Sequence, residues 1–542
     1  MHRCHAPHDL CMIPPHPKLR QKIDSELEKV REVAPDLAPL LRAGHPDRPG
    51  LNDGLILPGD RFPAGTPLQA VRSAALERAP LRGALRVVVV LVEFADKKLD
   101  ASHGKAHFEE LFFARGTGRS VHDYFAEVSG GAVDVIGEVV GPYRLPRRLS
   151  EYAHGASGMG TAEPNARTMA RDAAEAANRD VDFKPYDNDG NGFVDAFIVV
   201  HAGAGAEVTG RSGDIWSHKW VLARGEYNAD GTRIYAYLTV PEDARLGVCC
   251  HELGHLLFGW PDLYDTDGSS EGLGNWCLMA GGSWNGGGDI PAHPSAWCKA
   301  QQAWVKVLNQ TADATLSISD VKSARTVYRL WKDGAVGNEY FLVENRQRKL
   351  FDRQLPGDGL LVYHVDDAVA TNDDERHPKV GLLQADGRGD LNAGRNRGDA
   401  GDPFPGSAGN SQLTGATTPN TKSYNNVATG VALTAISAPG PVMSAKVSVR
   451  SGTAPPRRRF RLFGAEAQGG HAGAGVTEEV RELVVELYHA IGAGRDGGHA
   501  DGDEGWRDSV EDRLAAVEDA LGVGSAPDTV EVGDIPIVAS SS

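Results

Sequence analysis

The chain has little that would let it cross or enter a membrane. Its longest aliphatic run, Val87 to Val92, is six residues, against the roughly 20 that span a bilayer. The N-terminal stretch MHRCHAPHDLCMIPPHPKLRQK contains no apolar core of the kind a secretory signal requires, so no standard signal segment is expected. Cysteine is scarce as well. Six thiols (Cys4, Cys11, Cys249, Cys250, Cys277 and Cys298) in 542 residues are too few for a disulfide scaffold. Positive charge is in deficit, with Lys+Arg 56 against Asp+Glu 73 and a net charge of −17. Such a surface repels nucleic acid and anionic lipid. A serine-hydrolase elbow is missing too, because Gly281-Gly282-Ser283-Trp284-Asn285 lacks the second glycine.

What is present is an ordinary globular composition, 41% hydrophobic and 24% charged, with 65 glycines marking a loop-rich chain. Four textures divide it. Residues 1–80 read as a leader, propeptide-like in character. Leu19, Ile23, Leu27 and Val30 fall on one helical face and Pro/Gly-rich sequence follows, which predicts a flexible arm with one docked helix. Residues 81–305 read as an α/β catalytic domain, with buried strands at Val87–Val92 and Ala196–Val200 and an Ala-rich helix near 166–177. Residues 306–450 carry short segments such as TVYRLW, EYFLVENR and GLLVYHV between turns, and predict an appended β-rich, sandwich-like domain. Residues 451–542 open on the basic linker TAPPRRR and continue as an acidic tail with two short amphipathic helices. Their apolar faces are Val480, Leu483, Val484, Leu487 and Ile491, then Val510, Leu514, Val517 and Leu521.

The chemistry concentrates at His251-Glu252-Leu253-Gly254-His255. On a helix, residues four apart share a face, so both imidazoles reach one zinc ion from one side. Glu252 then stands beside the first ligand, placed to take the proton of an attacking water. The flanking Val248, Leu256, Leu257 and Phe258 make this a core helix, and Gly259 followed by Trp260-Pro261 ends it. Asp262, Asp265 and Asp267 come next. A catalytic zinc needs a third protein ligand, and a carboxylate after the helix-ending turn supplies one. Gly274-Asn275-Trp276-Cys277-Leu278-Met279-Ala280 reads as a tight turn running beneath the metal.

These stretches together, HELGHLLFGWPDLYDTD and GNWCLMAGGSWNG, resemble the immune-inhibitor-A family of zinc metallopeptidases. VVVVLVEFADKK, SVHDYFAEVSGGAVDVIGEVVG, DNDGNGFVDAFIVVHAGAGAE, EYFLVENRQ and LPGDGLLVYHVDD extend the resemblance over roughly residues 85–445. It implies a zincin-like α/β catalytic domain, a zinc endopeptidase acting on protein or peptide substrates, and export from the cell, often with a propeptide, bound calcium and an added β-domain; with no signal segment in view, a cytoplasmic location is the alternative. By position it makes His251 and His255 zinc ligands, Glu252 the general base and Met279 the turn methionine. The third ligand stays open. Gly259 and Asp262 lie four and seven residues after His255, one more in each case than in related clans. Asp262 is the first choice, Asp265 the runner-up, and Glu271 suits a glutamate-type arrangement. A catalytically silent metal-binding protein of the same fold is the alternative. The resemblance is silent on oligomeric state.

A second metal is expected at Asp187-Asn188-Asp189-Gly190-Asn191-Gly192-Phe193-Val194-Asp195. Asp187, Asp189, Asn191 and Asp195 occupy calcium-loop positions 1, 3, 5 and 9, Gly192 gives the turn at 6 and Phe193 offers its carbonyl at 7. Ile198 stands where an EF-hand has its bidentate acid, so a structural ion is expected rather than a sensor. Cys11 is a candidate latency thiolate for the zinc. Cys249 or Cys250 could pair with Cys277 or Cys298, or all four remain buried thiols. His201, Glu207, His218 and His364 read as satisfied polar residues, Glu344, Asp366 and Asp367 as ligands of a further ion, and 389–406 as a solvated surface loop.

Overall fold

The computed structural model describes residues 13–33 and 50–450. Cys4, Cys11 and the two helices expected after residue 450 lie outside them.

Val87–Val92 is fully buried within strand β1 (Gly83–Glu93), as befits a parallel strand covered on both faces. β1 pairs in parallel with β2 (Val133–Arg144) and with β3 (Phe197–His201). After β4 (His218–Val221) comes a small hairpin of β5 (Tyr227–Ala229) and β6 (Thr232–Ile234), and then β7 (Ala236–Pro241). β7 lies parallel to β3, and β4 closes the edge antiparallel to β7, with Lys219 opposite Leu238. The order is therefore β2-β1-β3-β7-β4. Helices Val121–Ser129, Ala166–Ala177 and Leu246–Phe258, the candidate active-site helix, pack against this sheet.

Residues 306–450 hold two further sheets. The first takes β8 (Lys306–Gln310), β10 (Thr326–Leu330), β11 (Glu339–Arg346), β12 (Gly359–Asp366) and β13 (Val380–Leu382), in the order β13-β12-β11-β10-β8. The second takes β9 (Ala314–Ser319), β14 (Ala432–Thr434) and β15 (Val442–Ser448). Successive side chains of a strand face opposite ways, and here both faces are buried. Phe341, Val343, Leu360 and Val362 join Ile318, Met443 and Val447 in one cluster. Leu342, Leu361, Tyr363 and Val365 belong instead to the large cluster built on β1 and the active-site helix. That is why EYFLVENR and GLLVYHV run apolar without a clean alternation.

A charged network is buried between these regions. Lys299 bonds Glu344, and Arg346 donates to Glu344 at 3.0 Å and to Asp352 at 2.8 Å, all at 1% exposure or less. The leader departs from the flexible arm expected of it. The helix Pro17–Val33 forms, but Leu55, Ile56, Val71 and Ala75 are buried in the large cluster as well. Short apolar pairs among prolines and glycines give no periodic signal, so their docking is invisible to pattern reading.

Candidate metal centre

All thirteen residues of the active-site helix are buried. Gly259 ends it as expected, in the left-handed conformation at φ 64°, its N–H returning to the carbonyls of Gly254 and His255. On this helix His251 and His255 point the same way, and their Nε2 atoms are 3.0 Å apart. Each Nδ1 faces a backbone carbonyl, Leu278 O at 3.0 Å for His251 and Trp260 O at 2.6 Å for His255. A carbonyl only accepts, so both Nδ1 atoms carry a proton and both Nε2 atoms face inward.

Asp262 completes the group. Its Oδ1 lies 3.1 Å from His251 Nε2 and 3.2 Å from His255 Nε2. Ligand atoms about 2.0–2.1 Å from a tetrahedral zinc lie about 3.3 Å from one another, which these separations match. Burial pushes the Asp262 carboxyl up, yet the imidazoles hold it below its ordinary range. Burial pushes His251 down, and Asp262 outweighs it, lifting the imidazole to about 9. Glu252 is fully buried with neither oxygen hydrogen-bonded. Burial raises it to about 8, reinforced by Asp262 and Glu207 and opposed by His251 and the nearby Lys219 amide.

The methionine turn lies under this group. Leu263 N donates to Met279 O at 2.7 Å, and Leu278 O is the acceptor that orients His251. The other acids point elsewhere. Asp265 accepts from Asp267 N, Ser269 Oγ and Ser270 N, which folds its own loop. Glu271 pairs with Arg397 at 3.6 Å and Arg20 at 4.0 Å.

Elsewhere, Asp187, Asp189 and Asp195 bring one oxygen each within 4.8 Å of one another. Arg78 from the leader reaches into this loop, its Nη1 2.6 Å from Asp195 Oδ1 and 3.1 Å from Asp189 Oδ2. Asn191 turns its carbonyl oxygen to Phe193 N. Glu207 and His218 are satisfied, by Ser217 and by Trp216 O with Tyr237 OH, and His364 bonds Glu339 and stacks on Tyr424. His201 is buried with Nε2 unpartnered. Glu344, Asp366 and Asp367 do not gather around an ion. Glu344 is held by Lys299 and Arg346, Asp366 accepts from His377, and Asp367 from Trp297 and Tyr340. Cys249, Cys250, Cys277 and Cys298 are buried free thiols.

The 389–406 segment is exposed at Asn392–Arg395 and packed at Leu391 and Gly401–Phe404. Leu391 and Asp402 are 1% exposed, Arg397 O accepts from Asn275 N, and Asp390 and Asp399 converge with Asp386. Its Asn and Asp side chains fold back on neighbouring groups, as Asn396 does with Gly398 N and Asp399, which composition alone reads as solvent-facing.

Sequence reading also missed the contacts that tie residues 13–14 and 52 to the catalytic segment. Ile13 N donates to Ser217 O at 3.4 Å and Ile13 O accepts from Trp216 Nε1 at 3.0 Å, beside the edge strand β4. One residue on, Pro14 O accepts from Trp284 Nε1 at 2.6 Å, on the Gly281–Gly288 segment that packs on the active-site helix. Asn52 N donates to Lys219 O at 3.2 Å. These contacts join positions hundreds of residues apart, and no local signal marks them.

Residues 82–310 match the family model described as the catalytic domain of immune inhibitor A peptidase M6. The chain is 33% identical over 252 residues to immune inhibitor A of Bacillus thuringiensis subsp. alesti, covering 37% of this chain and 36% of that protein. It is 30% identical over 269 residues to the pre-pro-metalloprotease PrtV of Vibrio cholerae serotype O1 (strain M66-2), covering 40% of this chain and 29% of that protein. The aligned part is thus about a third of each relative. The buried His251–His255–Asp262 group falls inside the matched segment, and by that match residues 82–310 are similar to the catalytic domain of the immune inhibitor A peptidases, family M6.

Proposed function

We propose that the chain is a zinc-dependent endopeptidase, held latent by its own leader. The carrying observation is the convergence of His251 Nε2, His255 Nε2 and Asp262 Oδ1 within 3.0–3.2 Å, beside a buried Glu252 with no hydrogen-bond partner. His251, His255 and Asp262 would hold the zinc. Bound there, zinc supplies a Lewis acid that polarises a peptide carbonyl and acidifies an attacking water. Glu252 takes the proton of that water as its oxygen bonds to the carbonyl carbon. The same carboxyl then returns the proton to the amine as the C–N bond breaks. Burial favours this role by keeping the proton affinity of Glu252 high. A purely structural metal site has no use for such a base, which speaks against a silent binding protein.

Latency is supported by the leader contacts. Residues 13–16 link Ser217, next to β4, to Trp284, and residues 50–55 line β4 itself. The division into leader, catalytic domain and β-rich domain is retained as a functional reading, as are a calcium ion at Asp187–Asp195 and action outside the cell. Among the described residues no helix is long and apolar enough to cross a membrane.

The test is metal analysis with casein cleavage, on the full chain before and after limited proteolysis of the leader. The expected result is about one zinc per chain, activity appearing only after leader cleavage, and loss of that activity with zinc retained in Glu252→Ala. Parental cleavage by Glu252→Ala would overturn the assignment.

A further inference from the structure

β4 is the edge strand of the sheet, and an extended peptide adds to such an edge by main-chain hydrogen bonds, with alternate side chains entering pockets. In this chain a turn of the leader, residues 50–55, sits against that edge, and Lys219 O accepts from Asn52 N. The side chain of Lys219 is fully buried, yet nothing in the catalytic segment bonds its ammonium among the described residues. Its Nζ donates to Gly50 O at 3.2 Å, Asp53 O at 2.7 Å, Leu55 O at 2.7 Å and Asp53 Oδ1 at 3.0 Å. All four acceptors lie in leader residues 50–55, and one of them is a carboxylate.

The arrangement is built rather than incidental. Asp53 Oδ2 accepts from Gly50 N at 2.7 Å and Oδ1 from Leu55 N at 2.9 Å, so the carboxylate is fixed in the turn that wraps the ammonium. Burial pushes the lysine pKa down, with Asp53 and then Glu252 opposing. Lys219 therefore stands close enough to the metal centre for Glu252 to act on it. When the leader leaves, three N–H donors lose every acceptor at once, and a buried ammonium without partners is strongly unfavourable.

We propose that Lys219 is a specificity-determining residue of the peptidase, binding an Asp or Glu side chain of the substrate where Asp53 of the leader now sits. The inference rests on the endopeptidase reading of the same site. The leader turn is then a substrate mimic at one subsite, and the enzyme favours acidic sequences even though its own net charge is negative.

The experiment uses the full chain activated by leader cleavage, with matched peptides carrying Glu or Gln at one position in turn. The parent should prefer Glu at a single position by roughly tenfold or more in kcat/KM. Lys219→Met should lose that preference while still cleaving the Gln peptides, and Lys219→Glu should shift it toward Lys. A second measurement needs no folded variant: the peptide GLNDGLIL (residues 50–57) should inhibit the activated parent, and its Asp53→Asn form should be weaker by roughly tenfold. Equal rates on Glu and Gln peptides in the parent, or equal inhibition by the two octapeptides, overturns the proposal. Absence of any peptide cleavage, with zinc bound, overturns the endopeptidase reading instead.

Discussion

Arg78 and Asp195 are joined at 2.6 Å, a leader guanidinium against a carboxylate whose side chain is 1% exposed. The same nitrogen reaches Asp189, so the leader supplies a cation to the loop read as a calcium site. Burial raises the Asp195 carboxyl and Arg78 opposes it. A calcium ion bound at this loop would compete with Arg78 for the same oxygens. Arg78→Gln should bind calcium more tightly than the parent, by roughly tenfold for one removed charge near partly buried acids. Calorimetric titration checks this, and equal affinities would separate the arginine from the ion.

The third ligand is decided by substitution. Asp262→Ala should lose zinc, because among the described residues this is the carboxylate that meets both imidazoles. Asp265→Ala should keep it, while its loop loses the acceptor of Asp267 N, Ser269 Oγ and Ser270 N. Zinc retained by Asp262→Ala and lost by Asp265→Ala would reverse the assignment.

Gly254 sits over the methionine turn, where an added Cβ would stand 2.7 Å from Met279 Sδ and 3.0 Å from the Trp260 ring. Gly254→Ala should cost about 1–3 kcal/mol through this overpacking. A lowered Tm together with weakened zinc retention is expected. Gly254→Ala with additional Met279→Ala should recover part of the loss.

Glu207 gives a pH signature. Burial raises its carboxyl from the ordinary 4.5 to about 7, against the hydrogen bonds from Ser217. The folded state thus holds the proton more tightly than the unfolded chain. Stability from this group is complete below pH 4.5 and is lost as pH rises through about 7, amounting to roughly 3 kcal/mol. Denaturant titrations across that window should show a slope that Glu207→Gln flattens.

The legible parts of the chain were those set by local spacing. His251 and His255 are one helical turn apart, Gly259 terminates that turn, and Val87–Val92 announces a covered strand, so each is carried by its own neighbours. Asp262 was one of three nearby acids. What brings it to both imidazoles is the backbone path that Leu263 takes to Met279 O, which no spacing encodes. The leader was misread as mobile because Leu55, Val71 and Ala75 find their partners across the fold. No motif or spacing singles out Lys219 in the sequence. Its meaning came from Asp53, 166 positions earlier.

The middle sheet of residues 306–450 gives Leu342, Leu361, Tyr363 and Val365 to the same hydrophobic mass as the active-site helix. The change of texture at residue 305 is therefore a border in composition and not a line along which the molecule comes apart. A protein that ends there would leave those four side chains' partners facing water and would strand Lys299 without Glu344. Grafting residues 82–310 onto another framework, or exchanging the C-terminal half with a relative's, requires that β11 and β12 travel with them.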